Sequence, residues 1–456
     1  MRTAVIIGGG IGGLATARAL TRRGWRVRVF ERAGAVEGLG AGLAMAPNAL
    51  RALDTLGLGD AVRSRGAVGS AGIRTWRGRW LLPTDAEALR RRFGDTIVVL
   101  PRAELIDLLG GGPVAGLVHT SAEAELIDPG GPDRPARVRA DGREWTADLV
   151  VAADGVRSRT RAHLFPPSAG HPVPVYSGST TWRVIAKGVT VEEAGESWGP
   201  EGLVGLMPLA AGGTYFYAMA WLPAGTTFPL REGRGLPPST ESPRLQPPSG
   251  EHAELVRRFG HWHDPIPEVL ADADPGAVLR NDVWHLPTRR PPSPIRGRFA
   301  PEWATAHPSP TTTLNGRPAA AALPAYRRLR RRSSSPPPAY HSGRVAVLGD
   351  AAHAMTPNLG QGACTAVEDA VTLAHAVGEG SADTDLPEAL AAYTAARLPR
   401  AGGMVRRSAA VGRMSSLRHP LARALRDTGI RLVDRVAPSL FYGPVEDAFG
   451  WRPPTD

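Results

Sequence analysis

Ala4-Val5-Ile6-Ile7-Gly8-Gly9-Gly10-Ile11-Gly12-Gly13-Leu14 is the stretch that decides the fold. The apolar run reads as a short buried strand that stops at a glycine turn. Leu14, Ala17, Arg18 and Leu20 then follow a helical pattern broken at Gly24, and Val27, Val29 and Phe30 alternate into a second strand ending at Glu31. This is a βαβ unit with G-x-G-x-x-G at Gly8, Gly10 and Gly13. The first glycine makes the tight turn, the second lets backbone approach a pyrophosphate, and the third lets helix and strand touch. The helix N-terminus offers that pyrophosphate unpaired N–H groups and a partial positive charge. Glu31 stands where a carboxylate binds a ribose 2′-OH. Strand, turn, helix and acid in register predict a dinucleotide site, without separating FAD from NAD. The bland alternative is an ordinary glycine-rich strand-to-helix turn.

The chain has 456 residues, 42% of them hydrophobic, enough for one large domain or two smaller ones around an ample core. Arg2 before an apolar run resembles a leader, but the glycine turn and Arg18, Arg22 and Arg23 argue against export. No run approaches the length of a membrane span. Cys364 is the only cysteine, so neither a disulfide nor a cysteine metal site is expected, and the cytoplasm is the expected compartment. The net charge is +11, and residues 289 to 344 hold eleven arginines against one acid, Glu302. A nucleic-acid surface would spread its cations over a folded face with aromatics between them, so no nucleic-acid partner is expected.

Farther along, a glycine-bearing loop (Gly38, Gly40, Gly42) precedes a helical pattern through Leu50, Leu53, Leu56 and Leu58. Gly72 to Leu82 reads as a hairpin turning at Arg77-Gly78-Arg79. Leu100-Pro101-Arg102 opens a short helix, where a cation at the positive helix end implies a partner holding it. Gly116 to Trp145 is strand-rich. Leu149 to Ala153 is a buried strand ending at Asp154-Gly155-Val156-Arg157-Ser158-Arg159-Thr160-Arg161, where ligands bind in open α/β sheets. Residues 176 to 221, continued by Val283-Trp284-His285-Leu286, are aromatic and β-branched and predict a mainly antiparallel layer suited to walling a flat substrate. Arg231 to Gly250 and residues 288 to 342 read as loosely attached, being Pro-, Ser- or Arg-rich without a sustained period. Order returns at Gly343, with a strand Arg344–Leu348 leading to Gly349-Asp350-Ala351-Ala352-His353 and on to Gly362. Helices are predicted over Ala363–Val377, Leu386–Ser416 and Pro420–Val436, followed by an aromatic tail.

With the Gly-Asp stretch in hand, the whole chain resembles the single-component FAD-dependent aromatic hydroxylases, the para-hydroxybenzoate hydroxylase-like flavoprotein monooxygenases. Three motifs occur in family order: the glycine turn at Gly8–Gly13, Asp-Gly at Asp154–Arg161, and Gly-Asp at Gly349–Gly362. The resemblance implies an α/β fold with a Rossmann-like (GR2-type) FAD-binding domain, a second, mainly antiparallel β-sheet substrate layer, and C-terminal helices. By position, residues 1–175 and 343–377 would form a discontinuous FAD domain, 176–287 the substrate layer, 288–342 a low-complexity insertion, and 378–456 a helical region. The family reaches its Gly-Asp strand by a short connection, so the insertion is a departure. Its composition is that of a high-GC gene read through a non-coding or out-of-frame stretch.

The resemblance places Gly8, Gly10, Ile11, Gly12 and Gly13 under the FAD pyrophosphate, with Glu31 on the adenosine ribose and Arg32 beside it. Gly42 would lie near the ribityl–flavin region. Arg102 would reach the cofactor's linker, and Asp154 belongs to a motif tied to FAD and the nicotinamide donor. Asp350 would bond the ribityl chain and Pro357 would lie by the flavin ring. Gly360, Gly362 and Ala363 would present helix N-terminal amides to its pyrimidine edge, where a reduced flavin carries negative charge. His353 reads as structural, since no Ser or Cys nucleophile and no second metal-spaced histidine accompanies it, and Cys364 reads as a packed thiol.

The implied reaction is a monooxygenation: NADH or NADPH reduces FAD, O₂ adds to give a C4a-hydroperoxide, and one oxygen passes to an aromatic or other electron-rich small molecule. No protein acid or base is assigned, and no metal is expected. Met45, Trp182, Arg183, Phe216 and Met219 are the expected substrate-wall residues, Arg183 as an anchor for a carboxylate or phenolate. A flavin reductase or halogenase on the same scaffold, or a flavin-binding protein without catalysis, is the competing reading. Oligomeric state is not legible.

Overall fold

The computed structural model describes residues 1–36, 42–68, 71–169, 171–228, 250–287, 339–381, 384–436 and 445–455. Its first sheet runs in the order His341–Ser342, Val345–Val347, Leu149–Ala152, Thr3–Ile7, Arg26–Phe30, Val118–His119. All neighbours are parallel except the His341–Ser342 edge. Successive side chains of a strand point to opposite faces. Ala4 and Ile6 therefore enter the core under helices Ile11–Arg22 and Gly362–Val377, while Val5 and Ile7 enter a second core beneath the antiparallel meander Ala124–Asp128, Ala136–Ala140, Arg143–Ala147. Burial on both faces is why Val5-Ile6-Ile7 and Leu149-Val150-Val151 are continuous apolar runs. Three strands distant in sequence thus end side by side at Ile7, Ala152 and Val347.

The second sheet is ordered Leu279–His285, Val175–Ala186, Thr214–Ala220, Gly202–Pro208, Gly195–Trp198, Ala71–Thr75, Trp80–Thr84. Its pairs are antiparallel apart from Gly195–Trp198 on Ala71–Thr75. One face is covered by helices Gly250–Phe259 and Ile266–Asp272, whose Leu255, Phe259, Ile266 and Val269 pack on Trp182, Val184, Phe216 and Ala218. Residues of the other face, Arg183, Tyr215 and Met219 among them, share a cavity with Gly10, Ala153 and Leu348 beside the first sheet's strand ends. Helix Leu386–Ser415 packs along Gly362–Val377, and Pro420–Val436 lies against Trp80–Thr84.

Three boundaries differ from those read in the sequence. The hairpin at residues 71–84 does form, with Gly78 at φ +86 in its turn, and it extends the second sheet, not the first. Parallel pairing with Gly195–Trp198 is a contact more than 100 residues away, which no local pattern encodes. The residues just before Gly343 are already part of the fold, because His341–Ser342 is an edge strand and Tyr340 is buried in the main core. Gly250 already opens a helix. Residues 229–249 and 288–338, where loose segments are expected, lie outside the described residues, as do Gly38 and Gly40.

Candidate active site

The glycine turn shows what each of its positions must leave clear. Gly8 has φ +107, and a Cβ there would lie 2.3 Å from the Ala153 carbonyl oxygen. At Gly13 it would lie 1.9 Å from the Gly8 carbonyl oxygen, so helix and strand touch as the motif requires. At Gly10 nothing of the protein lies within 4 Å, and Gly10, Ile11 and Gly12 line a cavity of about 640 Å³. Gly10 also caps helix Ile11–Arg22 without any side-chain bond, leaving the first N–H groups free. Glu31 accepts from the Gly9 N–H at 2.7 Å and the Ala33 N–H at 2.9 Å, which ties the second strand's end to the turn. Arg32 is exposed and does not line the cavity.

The Asp-Gly motif divides its work. The Asp154 carboxylate accepts from the Thr160 N–H at 3.1 Å and is not among the cavity-lining groups, whereas Ala153 and Gly155 are. Arg161 is buried and donates to the Ala351 and Val156 carbonyls at 2.8 and 2.9 Å. It thereby clamps the end of one parallel strand to the loop after the next.

That second loop is held from below by a network the sequence reading missed. Asp369, fully buried on helix Gly362–Val377, accepts from the Gly349 N–H at 2.9 Å, from His353 Nε2 at 2.5 Å and from Arg397 Nε at 2.7 Å. Its neighbour Glu368 pairs with Arg397 and Arg400 at 2.8 Å each and accepts from Asn48 at 2.6 Å. His353 and Arg397 hold the Asp369 carboxyl down at about 2 despite its burial. Two adjacent acids inside an apolar helix were the available signal, since buried charges persist only when paired. His353 is engaged with Asp369 in this arrangement, and Cys364 is a packed thiol. The Cys364 thiol is buried beside the Ala44 and Gly360 carbonyls, and burial pushes it up to about 12.

Gly42, Arg102, Asp350, Pro357, Gly360, Gly362 and Ala363 all line the same cavity. Helix Gly362–Val377 has no side-chain cap, and a Cβ at Gly360 or Gly362 would meet nothing within 4 Å. Asp350 opens onto the cavity; enclosure raises its carboxyl above the ordinary value, opposed by His353 and Arg102. Arg102 makes no hydrogen bond or ion pair among the described residues. Burial, then the like charge of Arg183, hold its guanidinium below the ordinary value, with Asp350 opposing.

Of the five residues expected at the substrate wall, Arg183 and Met219 line the cavity while Met45, Trp182 and Phe216 do not. Along Val175–Ala186 and Thr214–Ala220 the side chains alternate. Thr181, Arg183, Tyr215, Tyr217 and Met219 face the cavity, while Trp182 and Phe216 are fully buried under the helices on the other side. Trp182 also spends its indole N–H on Glu251, at 2.7 Å. Met45 is fully buried in the main core, and Gly42, Leu43 and Ala44 stand at the wall instead. Arg183 and Met219 do reach the cavity, with Arg183 donating to Asn281.

A family model described as an FAD binding domain matches residues 1–200 and 328–408, more than half of the chain. The aurachin C monooxygenase/isomerase of Stigmatella aurantiaca is 33% identical over 440 residues, covering 95% of each protein. This chain belongs to the FAD-dependent aromatic hydroxylases. Salicylate hydroxylase of Pseudomonas putida is 29% identical to this hydroxylase over 442 residues, 92% of this chain and 86% of that one. In fold, Klebsiella pneumoniae HpxO complexed with FAD and uric acid matches it with a TM-score of 0.72 at 23% identity, over 97% of both chains.

The hydroxylase's own residues fit an extended dinucleotide. Gly10 and the uncapped helix behind it suit a diphosphate. Arg102, with no hydrogen bond or ion pair among the described residues, would offer a cation, Asp350 a carboxylate for a hydroxyl, and the amides from Gly360 to Ala363 a positive end. These groups follow one continuous cavity from the parallel strand ends to the second sheet.

Proposed function

We propose that this FAD-dependent monooxygenase takes electrons from NADH or NADPH and uses O₂ to hydroxylate a flat, largely apolar aromatic molecule. The observation that carries the reading is the single cavity, which runs from the glycine turn and Asp350 to the face of the second sheet bearing Thr181, Arg183, Tyr215, Tyr217 and Met219. Bound FAD supplies the redox chemistry, activating oxygen in its reduced form. The chain does the rest. Gly8, Gly10, Ile11, Gly12 and Gly13 seat the diphosphate, Glu31 takes the ribose, Arg102 and Asp350 hold the middle of the cofactor, and Pro357 to Ala363 flank its ring. Leu82, Val99, Leu203, Met207 and Met219 make the chamber wall apolar and exclude water from the reacting centre. Arg183 and Tyr215 give that wall a polar corner. A nicotinamide donor accords with cytoplasmic work.

The test is direct. The purified protein is loaded with FAD and mixed with NADH or NADPH and a panel of phenols and fused aromatic compounds. Substrate-accelerated NAD(P)H oxidation with an equimolar hydroxylated product is expected. Bound flavin that neither nucleotide reduces, with any of the panel present, would leave a flavin-binding protein and no hydroxylase.

A further inference from the structure

The chamber has a second polar corner that none of the cofactor groups uses. Glu196 lines the cavity, and its two carboxylate oxygens accept from the Tyr217 hydroxyl at 2.7 Å and from the Trp198 indole N–H at 3.0 Å. Tyr217 is not on the neighbouring strand but one beyond it: Glu196 pairs with Gly205, and Gly205 pairs with Tyr217. The phenol ring crosses the intervening strand because residue 205 has no side chain. A Cβ there would lie 1.9 Å from Tyr217 Cζ and 2.4 Å from its hydroxyl. Among the described residues no cation pairs with Glu196. Arg74, on the adjoining strand, turns to Glu193. Arg426, which stacks on Trp198 at 5.2 Å, is paired with Asp427. The ionisable groups facing the carboxylate are thus the phenols Tyr217 and, beyond it, Tyr215, whose rings lie 5.6 Å apart. Arg102, Arg183 and Asp350 belong to the other corner.

We infer that Glu196, held over Gly205 by Tyr217 and Trp198, recognises an O–H or N–H on the substrate's ring system and accepts that proton as the ring is hydroxylated. The O–H or N–H bond breaks, the proton passes to a carboxylate oxygen, and the electron pair stays on the substrate heteroatom, enriching the ring carbon that takes up oxygen. Nothing is oxidised or reduced in this step. It rests on the hydroxylase reading and narrows its substrates to neutral aromatic hydrogen-bond donors. Burial raises the Glu196 carboxyl above its ordinary value, opposed by its two donors, which makes it a stronger base than a surface carboxylate.

The experiment uses the FAD-bound protein and three probes of one shape: 2-naphthol, 2-methoxynaphthalene and 2-naphthoate. Their dissociation constants are read from the flavin absorption change across pH. The wild type is expected to prefer 2-naphthol to its methyl ether by about tenfold or more, as a hydrogen bond to a charged acceptor would give. The preference should fade as pH falls through the raised Glu196 value. E196Q should keep FAD and bind the ether as before, yet lose both the preference and its pH dependence. Y217F removes one donor to the carboxylate and should move the pH midpoint upward. An E196Q protein with the wild-type preference and profile would overturn the inference. So would a wild type that favours the ether or the naphthoate, or binds no 2-naphthol. The hydroxylase reading fails separately, through flavin that NAD(P)H cannot reduce, because these binding constants need no turnover.

Discussion

Replacing Arg102 by methionine should move stability and cofactor affinity in opposite directions. The guanidinium stands at the positive end of helix Arg102–Gly110, beside the like charge of Arg183, with no hydrogen bond or ion pair among the described residues. In the apoprotein it is therefore a partly buried cation offset only through space by Asp350, and an apolar side chain of similar length relieves that cost. R102M apoprotein should melt at the wild-type temperature or above it. The same cation is placed to meet the cofactor's negative linker, and hydrogen bonds to charged groups are worth about 1.5–3 kcal/mol each. Losing one such interaction raises the FAD dissociation constant by roughly 10- to 150-fold. Holoprotein stability should fall accordingly, since a ligand stabilises only in proportion to its binding. Titration of FAD onto deflavo protein, followed by quenching of flavin fluorescence, reads the first quantity; thermal unfolding without FAD reads the second. An R102M protein with wild-type FAD affinity and a destabilised apo state would show that Arg102 is structural, and the reasoning would fail.

The glycine turn offers a paired comparison. G13A puts a Cβ 1.9 Å from the Gly8 carbonyl oxygen and should prevent stable folding, judged by circular dichroism, whereas G10A meets no protein atom and should fold normally while losing FAD affinity by at least about tenfold. Equal behaviour of the two variants would contradict the roles assigned. D369N leaves Arg397, Gly349 and His353 short of their shared acceptor, and breaking a buried pair costs about 3–5 kcal/mol; a urea midpoint equal to wild type would count against this network. Because the Asp369 carboxyl is depressed to about 2 in the folded protein, its contribution is complete above the unfolded value near 3.8 and is lost as pH falls toward about 2. D369N should therefore lose less stability than the wild type over that interval, measured by acid titration of unfolding. W182F should lower stability by about 1–3 kcal/mol, through the indole bond to Glu251, while leaving substrate KM within about twofold, because the ring lies on the face away from the cavity. A large KM change would return Trp182 to the substrate wall.

The strand, glycine turn and helix at Thr3–Arg22 were legible because their pattern is local. A Cβ on Gly13 would strike the carbonyl of Gly8 only five residues back, and apolar runs such as Val5-Ile6-Ile7 announce strands buried on both faces. The helical periods from Gly362 to Val377 and from Pro420 to Val436 are equally self-contained. In the second sheet the sequence shows an alternation with two faces and no label on either. Which face of Val175–Ala186 turns to the cavity is decided by helices Gly250–Phe259 and Ile266–Asp272, and they bury Trp182 and Phe216 instead of presenting them. Likewise Asp154 spends its carboxylate on Thr160, and Asp369 finds Gly349, His353 and Arg397 only once a strand-end loop and two helices meet. Glu196 reaches Tyr217 across a glycine on a third strand. A repeat of two or 3.6 residues determines which side chains travel together; only packing against distant segments determines what they face.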